Sequence, residues 1–194
     1  MNIHALSLAA LMAVACFVSS SRSAMAAFTV FGSGEAQSCA QAARDMEKGV
    51  APTAQSLVPC DSAIENESLS MRDRAGTYIN RGVLYLARGG YQQAKADFDS
   101  AVALMPALGE AYTNRGAALL ALQLYTSAIA DIDRGLALNP SEPEKAFFNR
   151  GLAEEALDNI PAAYRDYARA AELKPGWALP LNELSRFTVS PRRS

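Results

Sequence analysis

Tyr78-Ile79-Asn80-Arg81-Gly82 returns as Tyr112-Thr113-Asn114-Arg115-Gly116 and again as Phe147-Phe148-Asn149-Arg150-Gly151. Successive copies lie 34 and then 35 residues apart. A period of that length, in a helix-forming composition without strand alternation, is produced by a stack of helix-turn-helix units. Each hairpin is too small to bury its own apolar face and buries it on the next. The chain is therefore read as all-α.

Further landmarks return at fixed offsets from each glycine. The first unit carries Tyr85, Gly89, Tyr91, Ala94, Phe98, Ala101 and Pro106; the second carries Tyr125, Ala128, Ile132 and Pro140; the third carries Ala163, Tyr167, Ala170 and Pro175. Leu119 and Gly135 replace Tyr85 and Ala101 in the second unit, and Glu154 and Ile160 replace Tyr85 and Tyr91 in the third. This set resembles the tetratricopeptide repeat (TPR) family. The resemblance implies a right-handed α-solenoid of about three TPR helix hairpins, at 75–108, 109–142 and 144–177. Small residues at Gly82, Gly116, Gly151, Ala94, Ala128 and Ala163 would let the first helix of each hairpin (helix A) cross closely over the second (helix B). Each proline falls just after a helix B, where it cannot continue the helix.

Residues 36–74 are read as a degenerate N-terminal hairpin that caps the stack, with Ala36 to Lys48 and Cys60 to Glu67 as its helices and Ser70 capping the helix that follows. Residues 178–187 should form a closing helix with Leu181 and Leu184 inward and Asn182, Glu183 and Arg186 outward, as often follows the last repeat in the family. Residues 188–194 are expected as a frayed tail.

Leu6 to Val18 is an apolar run followed by polar Ser19 to Ser23 and by Ala24-Met25-Ala26, the small-x-small form cut by signal peptidase. Residues 1–26 are therefore expected to be a signal peptide cleaved after Ala26, with 27–35 a linker, and the protein to be periplasmic or secreted. The run is short for a bilayer span, and Ala13-Val14-Ala15 before Cys16 is a poor lipoprotein box, although a lipoprotein and an uncleaved anchor remain the competing forms. Cleavage removes Arg22, His4 and Cys16, taking the formal net charge from −2 to −3 and leaving no histidine and two cysteines. An even pair in an exported chain points to a Cys39–Cys60 disulfide, the alternative being two buried thiols. Two thiols without histidine fall short of a zinc shell, so no metal and no cofactor are expected.

What such a stack does follows from the resemblance. In the family the A helices line a concave groove that holds a peptide or helix of another protein, which carries over to Ile79, Asn80, Val83, Thr113, Asn114, Ala117, Phe148, Asn149 and Leu152. A carboxamide both donates and accepts, so an asparagine ladder can hold a peptide backbone without reading its side chains. The ladder could equally be a product of repeat duplication, or hold adjacent helices. Lys145 is the only lysine on the expected face, so a cluster clamping a terminal carboxylate is disfavoured. Arg81, Arg115 and Arg150 each precede an aspartate, Asp97, Asp131 and Asp166, by 16 residues. That constant offset predicts an Arg–carboxylate pair joining helix A to helix B in every unit.

A chain of net charge −2 without a Lys/Arg stripe does not suit nucleic acid. A mature chain without histidine, with paired cysteines and with Gly89-Gly90 between two helices, lacks the parts of a catalytic site or a phosphate loop. The expected role is a non-catalytic protein-protein interaction module with a partner of unknown identity and no stable membrane insertion. A self-associating envelope component is the alternative, and an enzyme the remote one.

Overall fold

The computed structural model of the chain describes residues 2–5, 25–30 and 34–190, with backbone alone for 2–5 and 188–190. Its helices are α1 (Glu35–Glu47), α2 (Val58–Asn66), α3 (Met71–Ala87), α4 (Tyr91–Leu104), α5 (Gly109–Ala121), α6 (Tyr125–Ala137), α7 (Pro143–Ala156), α8 (Ile160–Leu173) and α9 (Ala178–Leu184). The strongest packing is within the pairs α3/α4, α5/α6 and α7/α8, and each pair then packs on the next. The architecture is a solenoid of three full hairpins behind a shorter opening hairpin, α1/α2.

The repeated glycines are explained by what lies opposite them. A Cβ added at Gly82 would come within 2.6 Å of the Phe98 ring, at Gly116 within 2.5 Å of Ile132, and at Gly151 within 2.7 Å of the Tyr167 ring. Helices A and B thus cross with the large residue of helix B seated on the bare backbone of helix A. Each hairpin turns through a residue with positive φ at the same place, Gly89 (81°), Gln123 (62°) and Asp158 (61°), of which only glycine takes that conformation without strain.

The second unit departs further. Gly109 of α5 faces Gly135 of α6, and a Cβ on Gly135 would meet Gly109 O at 2.9 Å, Thr113 N at 3.0 Å and Thr113 Cγ2 at 2.5 Å. Two of those atoms are backbone and cannot swing away. Gly135→Ala should therefore lower stability by about 1–2 kcal/mol, although alanine stands at this position in the other units and gains about 1 kcal/mol in helix propensity. Urea denaturation checks this, and a rise in the midpoint would show that the α5/α6 crossing can open.

The opening hairpin is closed by a Cys39–Cys60 disulfide, with both residues fully buried against Leu84. Its second helix begins at Val58, earlier than the sequence suggests, because a single 3-10 turn at Ala54–Leu57 leads into it with Pro59 in its first turn, where the missing N–H costs nothing. Glu67 reaches back to accept hydrogen bonds from Glu35 N (2.8 Å) and Ala36 N (3.3 Å), satisfying donors at the start of α1. Ser70 Oγ accepts from Asp73 N at 3.1 Å and caps α3.

At the other end the closing helix is shorter than expected and only partly turned as expected: Leu184 packs on the core of the last hairpin and Asn182 is exposed, but Leu181 and Glu183 exchange places. It stops at Leu184; Leu181 is exposed, while Glu183 is buried and paired with Arg186. The cause is a polar cluster in which Arg186 also meets Glu155, whose other carboxylate oxygen accepts from the Tyr167 hydroxyl at 2.8 Å. Phe187–Ser190 then pairs antiparallel with Asn2–Ala5, Phe187 opposite Ala5, where a frayed tail was expected from 188. The apolar run at 6–18 and the rest of 6–24, which carry the signal-peptide reading, lie outside the described residues.

Candidate functional site

Helices α1, α3, α5 and α7, the first of each hairpin, stand side by side, so residues at one repeat position form a row across them. Asn80, Asn114 and Asn149 form such a row and are all buried. What buries the first two is the chain itself. Residues 25–30 lie across the A helices in irregular conformation, and the Asn80 carboxamide bonds both sides of one residue: its Oδ1 accepts from Phe28 N at 2.7 Å and its Nδ2 donates to Phe28 O at 3.0 Å. Asn114 Nδ2 donates to Ala26 O at 3.1 Å. Lys145 Nζ donates to Met25 O at 2.8 Å and also meets Glu47 and Glu142. The segment thus runs from α7 towards α3, opposite to the order of the repeats. Residues 27–30, expected as part of a linker, belong to this occupied groove.

Side chains of the segment are as well seated as its backbone. Met25, Phe28 and Val30 join one apolar cluster with Ile79, Val83 and Ala117. The Phe28 ring covers Gly76, and the Arg72 guanidinium lies 5.5 Å from its centroid. Beside Ala26 only about 10 Å³ of free space remains, lined by Glu110, Thr113, Asn114, Lys145 and Asn149 among others.

The groove set carried over from the family is therefore only partly assembled as one surface. Ile79, Asn80, Val83, Asn114 and Ala117 meet or pack with the segment. Thr113 borders the gap beside Ala26 but turns its methyl towards Gly135 of α6, and its hydroxyl donates to Glu110 O at 3.2 Å. Asn149 borders the same gap. Phe148 and Leu152 belong to the cluster of the last hairpin, where the Phe148 ring centroid lies 5.7 Å from Tyr167 and 5.1 Å from Trp177. In the third unit the apolar groove positions are spent on packing the closing helix.

Gly76 and Arg72 escaped the sequence reading. The available signal was a glycine in the body of α3, a position that costs about 1 kcal/mol relative to alanine and that no turn explains.

Behind the groove, the three arginines tie the hairpins together. Arg81 Nε and Nη2 bond Asp97 at 2.9 and 2.7 Å, Arg115 bonds Asp131 at 2.6 and 2.8 Å, and Arg150 bonds Asp166 at 2.8 and 2.7 Å. Each is a two-pronged guanidinium–carboxylate contact between helix A and helix B. The remaining prong crosses to the preceding hairpin: Arg81 to Asp61, Arg115 to Asp99 and Arg150 to Asp133. The hydrogen bonds they donate to Asp131 and Asp166 hold Arg115 and Arg150 charged, well above the ordinary range. For Arg81 burial opposes the charge and is outweighed by Asp97 and Asp61. Burial pushes the Asp97 carboxyl up, with Arg81 offsetting part of the effect. Burial and the neighbouring Glu155 push the Tyr167 phenol up, so it serves as a neutral donor.

Chemically the arrangement can hold an extended backbone. Among the described residues no group of three His, Cys, Asp or Glu is placed to bind a metal, and no helix is long and apolar enough to cross a membrane.

Residues 109–142, the second hairpin, match the sequence profile of the family described as Tetratricopeptide repeat. No curated protein matches the chain by sequence. Among solved structures, the first TPR domain of the human RPAP3 protein is 31% identical, with TM-score 0.54, covering 57% of this chain and 87% of that one. The second TPR domain of human RPAP3, solved in complex with the HSP70 peptide SGPTIEEVD, is 28% identical over 60% of this chain and 96% of that one, with TM-score 0.54. MamA from Desulfovibrio magneticus RS-1, at 20% identity and TM-score 0.58, covers 77% of this chain and 81% of its own and shares the fold.

Proposed function

Because the chain belongs to the tetratricopeptide repeat family, we propose that it is a non-catalytic interaction module whose A-helix groove holds an extended segment of a partner protein. The observation that carries this reading is the bonding of Asn80 and Asn114 to the backbone of residues 26–28, which is how a groove recognises extended chain whatever its sequence. The similar RPAP3 domain in complex with an HSP70 peptide supports the same use of the fold. Apolar burial supplies affinity and the carboxamides fix register.

The reading includes export to the periplasm or outside the cell with cleavage after Ala26. It rests on the apolar run before Ala24-Met25-Ala26 and on the Cys39–Cys60 bond, which an oxidising compartment would preserve.

Affinity capture from an envelope extract tests the groove, with the wild type compared against an Asn80→Ala, Asn114→Ala, Asn149→Ala triple variant shown by circular dichroism to be folded. A partner retained by the wild type and lost by the variant is the expected result. Equal recovery by both would move the binding surface elsewhere and leave the asparagines a purely intramolecular task.

A further inference from the structure

We infer that the segment centred on Phe28, residues 25–30 in the uncleaved chain and 27–30 once cleavage after Ala26 has occurred, is a built-in competitor for the partner, and that its fit reports the partner's chemistry: an extended segment carrying an aromatic side chain that seats on Gly76. The inference rests on the groove reading above.

The first argument is the glycine. Position 76 lies well inside α3, where glycine weakens a helix, and no turn or positive φ calls for it. The three atoms nearest to a Cβ built there all belong to the segment: Phe28 Cδ1 at 2.3 Å, Phe28 Cε1 at 2.9 Å and Val30 Cγ2 at 3.1 Å. Nothing in the packing of α3 on its helical neighbours comes as close. The corresponding residues one and two units on are Glu110 and Lys145, so the seat for a ring exists in the first unit alone. Arg72 adds a cation over the ring face, which favours an aromatic over an aliphatic side chain.

The second argument is how the backbone is held. Asn80 spends both its donor and its acceptor on Phe28, which fixes that residue's register on the groove. Two bonds upstream, to the carbonyls of Ala26 and Met25, are made by Asn114 and Lys145, involve no side chain of the segment and belong to the uncleaved chain, since cleavage after Ala26 would remove both acceptors. The aromatic seat is therefore the most selective contact, with Met25 and Val30 adding apolar burial beside it, while the backbone bonds tolerate any extended chain that runs in the same direction.

A segment tethered to its own groove acts at an effective concentration on the order of millimolar. An incoming segment sees only the fraction of molecules whose groove is open, and its apparent affinity falls by that fraction. Weakening the tethered copy should restore it.

The test uses the full chain and a fluorescent, end-blocked hexapeptide of sequence Met-Ala-Ala-Phe-Thr-Val, followed by anisotropy. Phe28→Ala should bind this probe about tenfold or more tightly than the wild type. The gain should vanish in the Phe28→Ala, Gly76→Val double variant, and a probe with alanine in place of phenylalanine should bind none of the proteins. Probe binding by folded Phe28→Ala no tighter than by the wild type overturns the competitor. Equal binding of the two probes overturns the aromatic seat. Should Phe28→Ala fail to fold, amide hydrogen exchange of residues 25–30 in the wild type decides: millimolar probe should accelerate it, and an unchanged rate overturns the inference. Partner capture that still depends on the asparagines, alongside a negative probe result, would sink this inference alone; loss of both would take the groove reading with it.

Discussion

Reducing the Cys39–Cys60 bond, or replacing both cysteines by alanine, should cost the opening hairpin about 3 kcal/mol. The bond closes a loop of sequence separation 21, and the freed chain regains the corresponding disorder when unfolded. Beyond the Glu67 carboxylate that accepts from the start of α1, little else holds α1 and α2 to each other. The face of α1 turned inward is alanine, Ala36, Ala40 and Ala43, and α2 contributes Ala63, so the apolar area removed from water per residue is small. Urea denaturation followed by circular dichroism, with and without reductant, measures the effect. The expected outcome is a lower midpoint or a separate early transition under reduction. An unchanged curve would mean that the packing of α1 on α3 suffices without the crosslink.

Arg81→Met should be nearly as damaging, at about 3 kcal/mol or roughly 6 to 12 °C in melting temperature. Methionine matches the stem of the arginine but leaves Asp97, only 5% exposed, without its two-pronged partner. An uncompensated carboxylate at such a site costs far more than the pair contributes over apolar replacement. Asp61→Asn, which removes only the second, half-exposed partner of Arg81, should cost under about 1 kcal/mol. Thermal melts of the two variants side by side check the contrast. Equal losses would mean that the tie to the preceding hairpin matters as much as the one within the unit.

The three full hairpins were legible because period, glycine and the opposing large residue all recur: Gly82 with Phe98, Gly116 with Ile132, Gly151 with Tyr167. A constant offset of 16 marked the aspartate that faces each arginine within its unit. The aspartates of the preceding units, Asp61, Asp99 and Asp133, lie 20, 16 and 17 residues before their arginines, and an irregular offset leaves no pattern to read. The segment at 25–30 was hidden for a different reason. Six residues without helical or strand period carry no local signal, and their place is set by asparagines 52 and 88 residues away. In α9 the amphipathic pattern placed Leu184 inward correctly but misplaced Leu181 and Glu183, because the Tyr167–Glu155–Arg186 cluster needed the carboxylate inside.

The double duty of each arginine also gives the stack a direction of weakness. Opening one hairpin in the middle breaks a charged tie to the unit before it and another to the unit after it, while opening the last breaks only one. The first is closed covalently. Ordinary nearest-neighbour coupling would let a repeat array come apart from either end. Here the crosslink and the one-sided ties leave the C-terminal hairpin as the end from which the array unzips, so hydrogen exchange is expected to be faster in α8 than in α4 or α6 wherever the Arg186 cluster and the Phe187–Ser190 pairing do not hold that end.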